Sequence, residues 1–286
     1  MANLKEIRNR ISSVSSTMQI TSAMKMVSAA KLKKAQDAIT GMRPYSDKLT
    51  ELLQGLSATL EAGSESKFSE IRELKKVLLV PITSNRGLAG AFNSNIIKEV
   101  NRLTSETYAN QEVSYIAIGK KANDAFKKSN RIIANKSELY EDLTFDNVAE
   151  IAEMLMDKFV TGEFDKIEIV YNKFKNAATQ IVMTEQFLPI VPFESDSEVS
   201  LDYIFEPSKV EIVEQLIPKS IKTQLFKSIR DSFASEHGAR MTAMHKATDN
   251  ATELRDQLKL TYNKARQAAI TNEILEIVGG AEALNN

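Results

Sequence analysis

The chain contains no cysteine, which excludes disulfides, thiol catalysis and cysteine-ligated zinc while leaving the compartment open. It has two histidines, His237 and His245, eight residues apart. On a helix that spacing is about two turns, or roughly 12 Å, too far to share a metal ion. Both read as solvated or packed helix residues. No apolar run approaches the ~20 residues that a membrane span requires. Neither sign of charge dominates: 37 lysines and arginines stand against 38 aspartates and glutamates, so overall charge points neither to nucleic acid nor to an acidic substrate. The opening MANLKEIRNR reads as the start of a helix rather than a signal or transit peptide. The expectation is a protein made and used on the cytoplasmic side.

Proline and glycine are nearly absent from the last eighty residues, from about Pro207 to Gly280, where only Pro218 and Gly238 interrupt the run before its end. Apolar or small residues recur there at steps of three and four: Leu225, Ile229, Phe233, Met241, Met244, Thr248, Ala251, Leu254, Leu258, Tyr262, Ala265, Ala269. That spacing predicts one continuous helix, of roughly 105 Å for seventy residues at 1.5 Å each, with Gly279-Gly280 as its stop.

The first sixty residues offer this helix a partner. Asn3 and Glu6 have the spacing of a capping box, and Leu4, Ile7, Ile11, Val14, Met18 and Thr21 form a heptad seam. From Ala23 to Ala38 the apolar residues become small or flexible: Met24, Met26, Val27, Ala29, Ala30, Leu32, Ala35. Small residues allow close approach and methionine tolerates irregular contact. Gly41 and Pro44 allow a kink before Tyr45, Leu49, Leu52, Leu53, Leu56 and Leu60 resume the stripe.

Between the helical ends, strand and helix patterns alternate. A polar loop at 62–69 precedes a buried-strand run, Val77–Val80, whose end Pro81 weakens or moves toward a sheet edge. Helix is expected over 91–109, 120–127 and 145–160, and strand over 113–118, 166–171 and 179–188. The pattern implies a small, mainly parallel sheet with a hairpin at one edge. The polar stretch 196–207 leads into the long helix. Domain bounds follow at 1–61, 62–206 and 207–286, an α/β domain inserted into a helical hairpin.

The sharpest local motif is Thr83-Ser84-Asn85-Arg86-Gly87-Leu88-Ala89-Gly90-Ala91-Phe92-Asn93, a strand-to-helix turn. Its glycines could let backbone N–H groups cradle a phosphate at a helix N-terminus. It lacks the lysine and hydroxyl ending of a Walker A loop and the three glycines of a dinucleotide fingerprint, so a tight βα turn is the plainer reading. Paired carboxylates, Glu141-Asp142 and Asp196/Glu198, lie in polar loops with nothing to perturb them. No catalytic residue, cofactor or metal site emerges. Lys25, Lys31, Lys33 and Lys34, with Arg8 and Arg10, form a solvated face or a collar facing an acidic partner.

Length mismatch carries the functional reading. If ~60 N-terminal residues pair antiparallel with ~75 C-terminal ones, the last ~15–20 have no partner within the chain, up to ~30 Å of single helix. That overhang contains Ala265, Ala268, Ala269, Ile270, Ile274, Leu275, Ile277 and Val278. A helix apolar on several sides needs a socket in another protein.

These residues resemble the gamma-subunit family of F-type ATP synthases over the whole chain. Lys5-Glu6-Ile7-Arg8 through Met24-Lys25-Met26-Val27 resembles the family's opening helix, and Arg86–Asn93 its RGLCGxxN turn. Ser235-Glu236-His237-Gly238-Ala239-Arg240-Met241 through Asn250-Ala251 resembles its signature, as does Tyr262-Asn263-Lys264-Ala265-Arg266-Gln267 through Thr271. Two departures fall in the turn, Ala89 for the common cysteine and Asn85 for the common aspartate.

The resemblance implies a long antiparallel coiled coil of the N- and C-terminal helices with an inserted Rossmann-like α/β domain. It implies a rotor shaft without a catalytic site of its own, binding no cofactor. Three alpha and three beta subunits would surround the shaft. Epsilon and the c ring would meet its foot, with delta, a and b in the same complex. The setting implied is the cytoplasmic face of the bacterial inner membrane, reached only through partners. Met24, Lys25, Arg240, Arg266, Gln267 and Thr271 are expected where shaft meets beta, and Tyr203, Phe205 and Glu206 facing the c ring or epsilon. Two other classes stand beside this reading. A nucleotide-dependent enzyme with coiled-coil arms would need Gly87–Asn93 to bind phosphate, and a nucleic-acid-binding coiled coil would show steep salt dependence.

Overall fold

The computed structural model describes residues 4–57, 67–129, 131–190 and 209–284. Among the described residues ten α-helices and β-strands follow in order: α1 (Leu4–Ser57), β1 (Lys76–Pro81), α2 (Phe92–Arg102), β2 (Glu112–Ala117), α3 (Lys120–Phe126), β3 (Ile132–Asn135), α4 (Phe145–Val160), β4 (Lys166–Phe174), β5 (Gln180–Leu188) and α5 (Lys209–Leu284). They fall into two compact units, Met1–Ser28 with Met241–Asn286, and Ala29–Arg240. Two long terminal helices and a central mixed sheet are the fold class that the sequence implied.

In the larger unit the sheet has the order β3-β2-β1-β4-β5. The first four strands run parallel and β5 returns antiparallel beside β4. Alternating side chains of the same strands feed two cores. Leu78, Val80, Ile167 and Ile169 face α4 and α5, burying Val148, Leu155, Phe159, Ile221, Leu225 and Ile229. Val77, Leu79 and Val170 face α2 and α3, burying Ile96, Val100, Ala122 and Phe126. Strands buried on both faces read as continuous apolar runs, which is why β1 was legible; β4 is buried on both faces too, yet carries Glu168 and Asn172 among its buried residues.

Several local expectations are corrected. Pro81 does not mark an edge: β1 is the middle strand, and the proline sits at its last position. There its carbonyl accepts from Ile118 N and the next amide, Ile82 N, continues to Val170 O. β3 was not anticipated, because an edge strand of four residues alternates too briefly to show a period. Helix over 91–109 ends at Arg102 and widens into one π-type turn, Leu103–Thr107, closed by Tyr108 N on Leu103 O at 2.8 Å. Gly41 and Pro44, where a kink is expected, both lie inside the single helix α1. Gly279-Gly280 is not a stop, since α5 continues to Leu284. The Asn3 cap lies outside the described residues.

In the smaller unit, α1 and α5 pair antiparallel through Arg8 with Tyr262 (2.7 Å), Arg255 with Met18 (3.5 Å), Thr248 with Thr21 (2.8 Å) and Lys25 with His245 (3.4 Å). A 3-4 alternation of buried or half-buried positions runs along α1 here through Leu4, Ile7, Ile11, Val14, Met18, Thr21, Lys25 and Ser28, with Ser15, Ser22 and Met24 half-buried beside it. The seam thus continues through polar residues, whereas Met26 and Val27 are exposed. On α5 the stripe runs Met244, Thr248, Ala251, Arg255, Leu258, Tyr262, Ala265, Ala269. Leu254 is exposed, and Arg255 takes its place in the seam, its guanidinium on the Met18 sulfur.

Candidate functional site

Antiparallel pairing fixes where the partner helix runs out. Each step back along α1 matches a step forward along α5. Leu4, four residues before Arg8, therefore comes level with residue 266, four past Tyr262. From there to Leu284, α5 has no partner helix among the described residues. Ile270, Ile274, Leu275, Ile277 and Val278 are 45–70% exposed along this stretch. Helices keep such side chains out of water by giving them a partner face. Among them Arg266, Gln267 and Thr271 are exposed, Thr271 Oγ1 donating back to Gln267 O at 2.9 Å. Met24 and Lys25 lie on α1, half-buried, with Lys25 Nζ 3.4 Å from His245 Nδ1. His245 also lies 3.4 Å from Asp249.

Arg240 occupies a different environment, inside the larger unit. Its side chain is 8% exposed and Nη1 lies 2.7 Å from Oε1 of Glu236, itself 9% exposed. The guanidinium also donates at 3.3 Å to the backbone carbonyls of Arg86 and Gly87 in the βα turn. Nη1 is 3.4 Å from His237 Nδ1, and a donor there leaves the ring proton on Nε2, which is buried without a partner. Burial, with Arg240 and Lys31 adding to it, pulls His237 down to about 4. Burial pushes the Glu236 carboxyl above its ordinary value, and the Arg240 charge works against that rise. The sequence reading missed this cluster because a polar run on a helix ordinarily means a solvated face.

The turn is closed by its own hydrogen bonds. Asn93 Oδ1 accepts from Ser84 N at 2.9 Å, and Phe92 N reaches Ala89 O at 3.2 Å. Leu88 and Gly90 take left-handed conformations, with φ of 61° and 56°. At the departure Asn85, the side-chain amide donates to Ser137 O at 2.8 Å while its oxygen accepts from Lys120 N at 2.9 Å. Aspartate would supply only the second contact. Ala89 packs against Phe92 and Ala239. Where a phosphate cradle presents N–H groups, this turn presents two carbonyls to a guanidinium. Gly119 is required beside it: at φ 102° its Cβ would come 2.1 Å from Thr83 O.

Among the described residues no three acidic, histidine or cysteine side chains gather as a metal site, and no helix is long and apolar enough to cross a membrane. Tyr203, Phe205, Glu206 and the Asp196/Glu198 pair lie outside the described residues.

The comparisons with known proteins agree with the two terminal helices and the sheet between them. The family profile described as ATP synthase matches residues 3–284. The ATP synthase gamma chain of Flavobacterium psychrophilum is 74% identical, the match covering 99% of each chain. That of Flavobacterium johnsoniae is 72% identical over the full length of both. In fold, the chain is similar to one from the OSCP/F1/c-ring structure of Euglena gracilis mitochondrial ATP synthase, with a TM-score of 0.73 at 24% identity, covering 98% of this chain and 94% of that one. With a profile and near relatives matching from end to end, the chain belongs to the gamma-chain family of the ATP synthases.

Proposed function

We propose that the chain works as the central rotor shaft of an F-type ATP synthase, passing proton-driven rotation of a c ring to nucleotide sites in a head of three alpha and three beta subunits. The apolar tip of α5 carries this reading. Five large apolar side chains between Ile270 and Val278 stand in water, and burying one fully is worth about 1.5–3 kcal/mol. A socket formed by other subunits would collect that free energy. On this reading 1–61 and 207–286 act as the shaft and 62–206 as the foot toward epsilon and the c ring, with delta, a and b completing the complex. Tyr203, Phe205 and Glu206 belong to the foot's contacts.

The chain itself does no chemistry on this reading. The turn that most resembles a phosphate loop spends its open carbonyls on Arg240, which supports a structural role for it. Rotation alters beta only through unequal contact with its open and closed states, and Met24, Lys25, Arg266, Gln267 and Thr271 are the side chains assigned to that contact. The setting is the cytoplasmic face of a bacterial inner membrane, held through partners. Affinity purification of the tagged chain from membranes should bring alpha and beta subunits with it, and titration of the purified chain with ATP should give no specific binding. A chain that returns without alpha and beta, or binds ATP stoichiometrically, overturns the proposal.

A further inference from the structure

Two of the motifs that carry the family likeness, the turn Arg86–Asn93 and the α5 segment Ser235–Arg240, meet inside the larger unit. Two contacts join them directly, a third runs through Asn172 of β4, and Gly238 sets the backbone of α5 close to Ala177 beside them. Arg240 grips the carbonyls of Arg86 and Gly87. Ala239 packs against Ala89 and Phe92. Ser235 Oγ donates to Asn172 O at 2.9 Å, and Asn172 Nδ2 donates to Phe92 O at 3.1 Å, so the end of β4 is tied to both. Gly238 lets the backbones approach: a Cβ there would lie 3.2 Å from both Cα and O of Ala177.

Nearly every side chain of this α5 segment is buried, although four of its six residues are polar or charged. Burying serine, glutamate, histidine and arginine together is costly unless partners are fixed. A segment meant only to cover the sheet would be cheaper as leucine and alanine. What the polar set adds is direction: hydrogen bonds to carbonyls at set positions resist sliding and rotation of the helix, which apolar contact resists weakly. α5 then continues without interruption past Arg240 to Leu284.

We infer that Ser235–Arg240 and the Arg86–Asn93 turn form a torque joint that keeps the sheet-bearing unit and α5 turning together, with Arg240 as a positioning residue within the chain. The inference rests on the rotor reading for its purpose, but the joint itself is a property of the chain. Arginine suits the place because its planar fork can reach one carboxylate and two carbonyls together, whereas a lysine ammonium keeps the charge beside Glu236 without spanning all three.

The test uses the assembled complex carrying Arg240→Lys, Ser235→Ala or no change. Ser235 is five residues from Arg240 and holds the joint at Asn172 instead, so a shared defect cannot come from one lost partner contact. Hydrogen exchange at 86–93 should accelerate about tenfold in both variants, while β1 and β4 keep the parent's rates; tenfold corresponds to about 1.4 kcal/mol of local closing free energy. In membrane vesicles, protons pumped per ATP hydrolysed should fall by about half or more with hydrolysis retained. Faster exchange with unchanged pumping shows a joint that carries no torque, and a pumping defect in Arg240→Lys alone, with 86–93 unaltered, shows a partner contact; either overturns the inference. Failure of the unsubstituted chain to couple at all would instead count against the rotor reading.

Discussion

Two stretches of one helix reverse the usual rule of burial. Between Ser228 and Arg240, α5 buries two serines, an aspartate, a further serine, a glutamate, a histidine and an arginine. Between Ile270 and Val278 it exposes three isoleucines, a leucine and a valine. Both stretches are α-helical in the same 76-residue element, so local propensity does not separate them. The difference lies in where each finds its complement. The polar stretch meets carbonyls and carboxylates of its own chain, and the apolar stretch runs past the end of α1. An apolar run on a helix is thus a reliable sign of a contact without saying whether the contact is internal.

Breaking the polar stretch should have the largest effect on the isolated chain. Arg240→Leu leaves the Glu236 carboxylate buried without its cation, and removal of one partner of such a pair costs about 3–5 kcal/mol. Urea unfolding followed by circular dichroism should show it, and a loss below about 1 kcal/mol would mean that the cluster is not a paired one. A milder probe uses pH. His237 is held at about 4 against an ordinary 6.5, so the unfolded chain takes its proton first as pH falls. Stability contributed at neutral pH is therefore lost between about 6.5 and 4, by up to about 3 kcal/mol. Glu236, whose folded value is raised, acts in the opposite sense, since the fold takes that proton before the unfolded chain does. His237→Phe should remove the first dependence and keep the second. Parent and variant curves that run parallel from pH 7 to 4 would exclude the assignment.

The apolar stretch should behave in the opposite way. Ile274→Asn with Leu275→Asn and Ile277→Asn touches side chains already in water, so each change should alter the isolated chain's stability by less than about 0.5 kcal/mol. Self-association, followed by sedimentation, should fall. Assembly with alpha and beta should weaken clearly, and normal assembly of the triple variant would remove the tip from the interface. The smallest effect on the chain is expected for Arg266→Ala with Gln267→Leu, two exposed residues on an alanine-rich turn. Its helical content should stay constant while turnover of the reconstituted head drops, because a guanidinium and an amide would no longer meet a beta subunit. Unchanged turnover returns both residues to a solvated role.

Much of the architecture was legible in the sequence. The 3-4 spacing on both terminal segments marked a helical hairpin, a fully apolar four-residue run marked β1, and alternation passing into Ile169-Val170-Tyr171 marked the start of β4. The helix expected over 145–160 is α4 to the residue, where Thr144 accepts from Asn147 N as an N-cap and Val148, Ile151, Ala152, Leu155 and Phe159 keep one face buried. Short or unperiodic pieces escaped: β3 is too brief, and the π-type turn after Arg102 leaves no pattern. The exposed tip of α5 was foreseen from length alone. The joint around Arg240 was not, because its partners across the fold are the backbone carbonyls of Arg86 and Gly87, and every residue has a carbonyl.

What the sequence determined by itself is the set of elements and their apolar faces, since spacing along a chain dictates which side chains share a side of a helix or strand. It also determined the mismatch in helix length, a matter of counting. Only the tertiary structure decided which positions of the seam are occupied by polar residues, that Arg255 rather than Leu254 faces α1, and that a glycine-containing turn holds a guanidinium instead of an anion. Those outcomes depend on the direction of N–H and C=O groups and on distances between segments far apart in the chain. Neither quantity is written in the identity of any one residue.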